Sequence, residues 1–318
     1  MRKAATFLLS SLMAGALAAS AGAEDFPSRD IDLIVPFDPG GAVDTTSRII
    51  AETANKMLTG TEISVVNKSG GGGVVGQTFA SKAAADGYTV LAMTSSVVTN
   101  PQMKGAGYSV DDFTPVALYS LDPQVIVVPA GSPIQTAEDF MAAAKENTLN
   151  IVVAGVGTSH HMSGLAIERV TDVKFNYVPT KGFGAQVQAV AGGHVDGALW
   201  PLGEATAQAE NGSVRILTIA SESRHSRLPD VPTFQEAGID IPIWATFRGW
   251  SVPKGTPEDV VAKLSDIMRA TYEDAGYVKR MKAAGYDPVF RDAEGFKAVV
   301  DSYSKLTSVI IDEANLGK

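Results

Sequence analysis

The sequence predicts an α/β protein of two lobes, each a mainly parallel sheet flanked by helices. Three observations predict it. Short apolar runs alternate with segments of helical period in a β-α-β-α-β order, and that order occurs twice. The chain has 318 residues, enough for about two domains. No Ser/Gly-rich linker separates the two series.

Residues 31–35 are an apolar run read as a strand. Residues 44–58 place Ile50, Ala54 and Leu58 at i, i+4 and i+8, with Gly60 as a stop, and predict a helix. A strand over 63–66, a helix over 74–85 and a strand over 88–93 complete the first series. The second opens with a strand over 124–128 and a helix over 136–145, whose Thr136 and Asp139 have capping-box spacing. A strand over 151–154, a helix over 162–170 and a strand over 175–178 follow. A helix over 184–191 is ended by Gly192-Gly193, and strands over 194–199 and 214–220 come next. Beyond Trp250 the pattern is helical, over 257–275, 278–284 and 293–314. These last helices have no sheet of their own, so they are expected to pack on the first lobe. Lobe 1 is therefore expected to hold residues 24–121 and 251–318, and lobe 2 residues 122–250. The chain crosses near 121–123 and 247–251, and a double crossing makes a hinge.

Composition narrows the function. Hydrophobic residues are 45% and charged residues 19%, the balance of a globular chain. There is no cysteine, which removes disulfides and thiol chemistry. Residues 1–23 read as a signal peptide. Arg2 and Lys3 precede an apolar run over 4–18, and Ala21-Gly22-Ala23 is a small-x-small site with cleavage expected after Ala23. A membrane anchor needs about 20 apolar residues, more than this run offers. The mature chain is thus expected in the periplasm. Without Arg2 and Lys3 it keeps 24 basic against 35 acidic residues, a net charge of −11, a poor surface for nucleic acid. A monomer without cofactor or metal is expected.

Ligands of parallel sheets sit beyond the carboxyl ends of the strands, where helix N-termini present unpaired N–H groups. Several loops have that position. In "PFDPGGAVD", Pro39, Gly40 and Gly41 let backbone N–H groups approach a ligand, and Phe37 offers an apolar wall. Asp44 is read as the N-cap or as a holder of water, since its charge opposes an anion. An ordinary βα turn is the competing reading. "GGGGVVG" contains G-x-G-x-x-G at Gly71, Gly73 and Gly76, but no acid follows about 20 residues on, so a dinucleotide is not expected. Thr94 and Ser95 instead offer hydroxyls at the next strand end. "GVGTSHH" supplies Thr158, Ser159 and His160, read as donors to an anion or as a polar helix cap. No G-x-S-x-G elbow or H-E-x-x-H spacing supports a nucleophile or a metal there. In "PTKGFGAQ", Gly182 and Gly184 open a helix beside Lys181. Asp196 in "HVDGALW" is expected to brace one of these loops, because a carboxylate among apolar neighbours must find donors. In "TFRGW", Arg248 after Phe247 is a candidate clamp for a carboxylate, with a surface arginine stacked on Trp250 as the alternative.

Taken in order, "IVPFDPGGAVD", "VVNKSGGGGVVG", "DGYTVLAMTSS", "VGTSHH", "VPTKGFGAQVQAVAGGHVD", "RLPDVPTFQEAG" and "VPKGTP" resemble the periplasmic solute-binding receptors of tripartite tricarboxylate transporters, the Bug-type receptors. The resemblance spans nearly all of the mature chain. It implies a type II periplasmic binding protein that closes a cleft between lobes over an organic acid. It implies that the Pro39-Gly40-Gly41 loop grips one carboxylate, partly through water. The Thr158-Ser159-His160 and Lys181-Gly182 loops would meet the ligand from the other side, and Asp196 falls on the aspartate of the family's "GG-x-VD" segment. Phe183 stands where many members have glycine and is expected to narrow the pocket. Arg248-Gly249 is similar to the tricarboxylate-type branch, which implies a ligand with two or more carboxylates. The expected function is capture of that acid and delivery to integral-membrane permease subunits, without catalysis. An exported hydrolase or lyase on the same lobes, and a sensory receptor for the same ligand, are the alternatives.

Overall fold

The computed structural model describes residues 26–241 and 243–316. The expected signal peptide, residues 1–23, lies outside the described residues. Strand β1 (Ile31–Val35) carries Ile31, Leu33, Ile34 and Val35, all fully buried, as a strand covered on both faces requires. It is flanked in parallel by β2 (Ile63–Asn67) and β3 (Thr89–Thr94). Helix α1 (Ala42–Ala54) follows β1, and α2 (Val74–Ser81) connects β2 to β3. Gly76 explains part of the glycine run between β2 and α2: a Cβ there would meet the Lys68 carbonyl oxygen at 2.7 Å and Pro36 Cα at 2.8 Å. These contacts make it a packing glycine.

The second group is β5 (Leu149–Val153) between β6 (Phe175–Pro179) and β7 (Gly197–Pro201), again parallel. Helices α4 (Ala137–Glu146), α5 (Ser159–Val170), α6 (Phe183–Ala191) and α7 (Leu202–Glu210) cover it. Thr136 and Asp139 do form the reciprocal capping box of α4.

The groups are joined by β4 (Phe113–Pro129), which has 17 residues where the apolar pattern predicts only 124–128. Pro115, Asp122 and Pro123 interrupt that pattern, yet a strand with register shifts tolerates them. Its first part pairs antiparallel with β9 (Ala245–Pro253) and β10 (Pro288–Arg291). From Gln124 on, it pairs with β7 and β8 (Val214–Ile219). Strand β9 also pairs with β3, so the path reads β2-β1-β3-β9-β4-β7-β5-β6. Where β4 changes partners, Gln124 N–H donates to the Trp244 carbonyl at 2.8 Å and its side-chain amide to Thr246 Oγ1 at 2.6 Å.

Helices α8 (Glu258–Glu273) and α9 (Ala275–Ala283) pack against α1. Helix α10 (Ala293–Glu313) lies over β4, and also touches α5 and α3 (Ser96–Lys104). Its Phe296 and Tyr303 meet Phe247 edge-on, with centroids 5.6 and 5.4 Å apart. Helices α3 and α7 and strands β9 and β10 have no counterpart among the predicted elements. Pro101 lies inside α3, and α7 follows Pro201 directly. Among the described residues, no helix is long and apolar enough to cross a membrane.

Gly249 sits at the tightest crossing of β9. A Cβ there would collide with the Phe296 ring and stand 2.6 Å from the Ala117 carbonyl oxygen. Gly249→Ala is expected to cost about 1–3 kcal/mol, the usual cost of overpacking. Urea unfolding, read as a lower midpoint with an unchanged slope, checks this.

Candidate functional site

The N-termini of α1, α5, α6 and α7 turn toward a partly open cavity of about 60 Å³ that lies between the two strand groups. Each N-terminus carries unpaired N–H groups and a partial positive charge. The first wall is the β1–α1 loop, where Phe37, Asp38 and Gly41 line the space with Ala42 and Val43 of α1. Gly40 takes φ +86°, which a glycine adopts without strain, and Gly41 is the extended N-cap. Helix α1 starts two residues before Asp44, so Asp44 is not its N-cap. The buried Asp44 carboxylate instead braces the loop from behind. It accepts from Gly40 N–H at 2.9 Å, from Asn67 Nδ2 at 3.0 Å and from Arg48 Nε at 3.0 Å. Burial pushes this carboxyl up, but Arg48, the Gly40 N–H and Asn67 together hold it below its ordinary value.

The opposite wall comes from three βα turns of the second group. Thr158 is the extended N-cap of α5, and Ser159 and His160 form its first turn; all three are buried and line the cavity. Gly155 and Gly157 take φ +122° and +81°, and Thr158 Oγ1 donates to the Gly155 carbonyl at 2.7 Å, which shapes the turn. Gly182 caps α6, with exposed Lys181 at the rim and Phe183 stacked edge-on against Trp200 at 5.1 Å. A Cβ on Gly182 would stand 3.0 Å from Asp38 Oδ2, so the two walls already touch at the rim.

The floor is ionic. Arg248 on β9 is 1% exposed. Its Nη1 donates to Asp122 Oδ2 at 3.0 Å and reaches Ser120 Oγ at 3.5 Å, while Nε is buried with no hydrogen-bond partner among the described residues. The alternative of a surface arginine stacked on Trp250 is therefore overturned. Asp122 also accepts from Gly203 N–H at 3.0 Å. Burial raises the Asp122 carboxyl, against the pull of Arg248 and of that N–H. Glu204, on the first turn of α7, accepts from Ala42 N–H at 3.2 Å across the cavity. Burial pushes Glu204 up, but His160, Arg248 and the Ala42 N–H hold it below the usual carboxylate range.

Thus Phe37, Gly41, Thr94, Thr158, Ser159, His160, Lys181, Gly182 and Arg248 are brought together around the cavity. The other candidates do not line it. Pro39 and Gly40 are exposed on the outer side of their loop, and Gly40 gives its N–H to Asp44. Ser95 is buried and its Oγ accepts from Phe247 N–H at 3.1 Å. Alternation along β9 turns Thr246 and Arg248 to the cavity and Phe247 to α10. Gly184 is exposed within α6. Asp196 precedes β7, at the amino end of the parallel strands and away from the cavity. Its Oδ2 accepts from Asn150 N–H at 2.7 Å and Nδ2 at 3.1 Å, so it braces the start of β5 and not a ligand loop. Glu204, Asp122, Gln186 and Thr246 were not singled out from the sequence. The position of Glu204, just beyond the carboxyl end of β7, is the signal that points to it.

An α/β fold of two strand groups, with helix N-termini turned to a cavity between them, has the architecture of the periplasmic binding proteins. A profile described as the tripartite tricarboxylate transporter family receptor matches residues 46–316, and the chain belongs to that family. A UPF0065 protein from the tcbD-tcbE intergenic region of Pseudomonas sp. (strain P51) is 34% identical over 301 residues, 88% of this chain and 86% of the relative. Among solved structures, Rpa4515 of R. palustris with adipate is 25% identical with a TM-score of 0.85, covering 92% of this chain and 99% of its own. MatC (Rpa3494) from Rhodopseudomonas palustris with bound malate is 28% identical with a TM-score of 0.83, covering 90% and 100%.

Two outcomes follow from the geometry. Because the fold holds Asp44 below its ordinary pKa near 3.9, its contribution is full above that pH and is lost as pH falls through the lower, folded value. Asp44→Asn should therefore lower stability by about 1.5–3 kcal/mol at pH 7, with the difference shrinking below about pH 4, as urea titrations at several pH values would read. Asp122→Ala should cost about 3–5 kcal/mol by leaving Arg248 buried without its counter-charge. Combining Arg248→Met with Asp122→Leu should recover most of that loss in a double-mutant cycle.

Proposed function

We propose that this chain is a periplasmic receptor that closes over a small organic acid and delivers it to the membrane subunits of a tripartite transporter, without catalysis. The observation that carries the reading is the convergence of four helix N-termini and a buried arginine on one cavity. Such a cavity is preorganised for carboxylate oxygens: its donors are backbone N–H groups and hydroxyls that need not reorient, and burial strengthens each of them. The adipate and malate bound by the two R. palustris proteins support the same ligand class.

In this reading the Gly41–Ala42 turn and the Thr158-Ser159-His160 turn face the acid from opposite sides. Arg248 supplies charge at the floor, and Lys181 steers the anion at the rim. A second carboxylate on the ligand would use Arg248 and Lys181 together. The hinge is the place where β4 changes partners, at Pro123 and Gln124, with the segment entering β9 beside it. Export by a signal peptide and action as a monomer complete the proposal.

Thermal unfolding with a panel of mono-, di- and tricarboxylates tests it. At least one acid should raise the melting temperature, with about 2.7 kcal/mol of stabilisation at a concentration of 100 Kd. A flat response across the panel, or conversion of the acid detected by mass spectrometry, would overturn the reading. Arg248→Lys, which retains charge but loses the planar fork, should weaken a bound dicarboxylate by about 1.5–3 kcal/mol in calorimetry.

A further inference from the structure

Four glycines in a row, Gly70 to Gly73, present bare main chain to a second cavity. They take φ between +62° and +136°, where a side chain is strained. With Ser69 they form one wall of this cavity, which measures about 550 Å³. Residues 154–156 and 179–181 form the facing wall. The walls approach closely at Gly155, where a Cβ would stand 3.3 Å from Gly72 Cα.

The second cavity adjoins the first. Phe37, Asp38, Ala154 and Lys181 line both, so these four residues are the partition between them. The first cavity, of about 60 Å³, has room for about four to six water-sized groups. That holds one carboxylate and the carbons next to it. A whole dicarboxylate needs more, and the space beyond the partition offers it.

Charge decides where a second carboxylate goes. Arg248 lies at the floor of the first cavity, and Lys181 is exposed at the partition. Asp38 is also in the partition, close against Gly182, and repels a carboxylate held there. The favourable place is past Asp38, in the outer chamber. Lys181 lines that chamber too, and the peptide groups of residues 70–73 lie along it without side chains to cover them. Helix α2 begins directly after them, at Val74, with its first N–H groups unpaired within the helix.

We infer that the chamber between the 69–73 loop and the Val156 turn is the outer half of the ligand site, and that the acid is an elongated dicarboxylate, adipate or longer. Its inner carboxylate lies over Arg248. Its chain passes Phe37 and Ala154, and its outer carboxylate meets Lys181. The inference rests on the organic-acid reading above and narrows it by length. Selection follows from burial: each methylene that leaves water for the chamber contributes, while a short acid cannot reach from the floor to the far side of the partition.

Calorimetry of the mature protein with succinate, glutarate, adipate, pimelate and suberate tests it. Affinity should rise about twofold to fourfold with each methylene as far as adipate, and adipate or a longer member should bind most tightly. Val156→Trp fills the chamber from one wall and Ser69→Trp from the other. Either should weaken suberate about tenfold or more while leaving succinate within about twofold of wild type. Lys181→Met should weaken adipate about threefold to fivefold and leave hexanoate, which has no second carboxylate, unchanged. Succinate or glutarate as the tightest member would overturn the inference, as would suberate binding that both tryptophan variants leave intact. If one tryptophan variant does not fold, the other is read. If both fail, or weaken the whole series alike, the wild-type order and Lys181→Met decide. A series in which no acid binds, beside a flat thermal panel, would defeat the receptor reading itself, whereas a series that binds best at its short end would defeat this inference alone.

Discussion

Arg248 and Asp122 face each other 3.0 Å apart at the point where β4 exchanges one set of partners for the other. Arg248 comes from β9, which pairs with β3 and the first part of β4. Asp122 is the second residue before Gln124, where pairing with β7 and β8 begins, and it holds the Gly203 N–H of α7. One buried ion pair thus ties β9, β4 and α7 together under the cavity floor. A pair so far from water contributes little net stability, but losing either member leaves an uncompensated charge, so its main effect is to fix geometry. The floor cannot rearrange without breaking it.

Given that floor, the rest of the cavity depends on where helices begin. Two parallel groups meeting through antiparallel β4 and β9 present the carboxyl ends of their strands to a common space, and the following helices start there. That topology sets N–H donors on both walls, although the chain as a whole is acidic. A local field made of oriented dipoles and one buried guanidinium can hold an anion inside a protein of net negative charge, because it acts over a few ångströms within a medium of low dielectric.

The acidic residues near the cavity divide by what satisfies them. Asp44 is saturated by Gly40, Asn67 and Arg48 and serves the loop behind it. Asp122 is saturated by Arg248 and Gly203. Glu204 accepts from the Ala42 N–H across the cavity and stands 3.4 Å from His160 Nε2. The same carboxylate group therefore has three roles, decided by the donors within reach and not by sequence context.

Much of the architecture was legible in the chain. Apolar runs of strand length marked β1, β2, β3, β5, β6 and β8 closely: β1, β3 and β5 are buried along most of their length, which calls for apolar sequence, and the edge strands β2 and β6 keep strand-forming residues although only their first residue is buried. Thr136 and Asp139 marked the start of α4, because a capping box is a local device. The turns at Gly41, Thr158 and Gly182 could be placed at the site because the residue after a parallel strand must lie at the ligand end. The chain alone could not reveal β4 as a 17-residue strand, since Asp122 and Pro123 interrupt its pattern and only its partners make it continuous. Nor could it separate Arg248, which lines the cavity, from Phe247, which packs on α10: that choice depends on which face of β9 the two groups enclose. The pairing of Arg248 with Asp122 joins residues 126 positions apart, and that of Ala42 with Glu204 joins residues 162 apart. Local sequence determined the strands, the caps and the turns that donate. Tertiary structure decided which charges neutralise one another and which side chains line the cavity, because burial and distance arise only when remote segments are packed together.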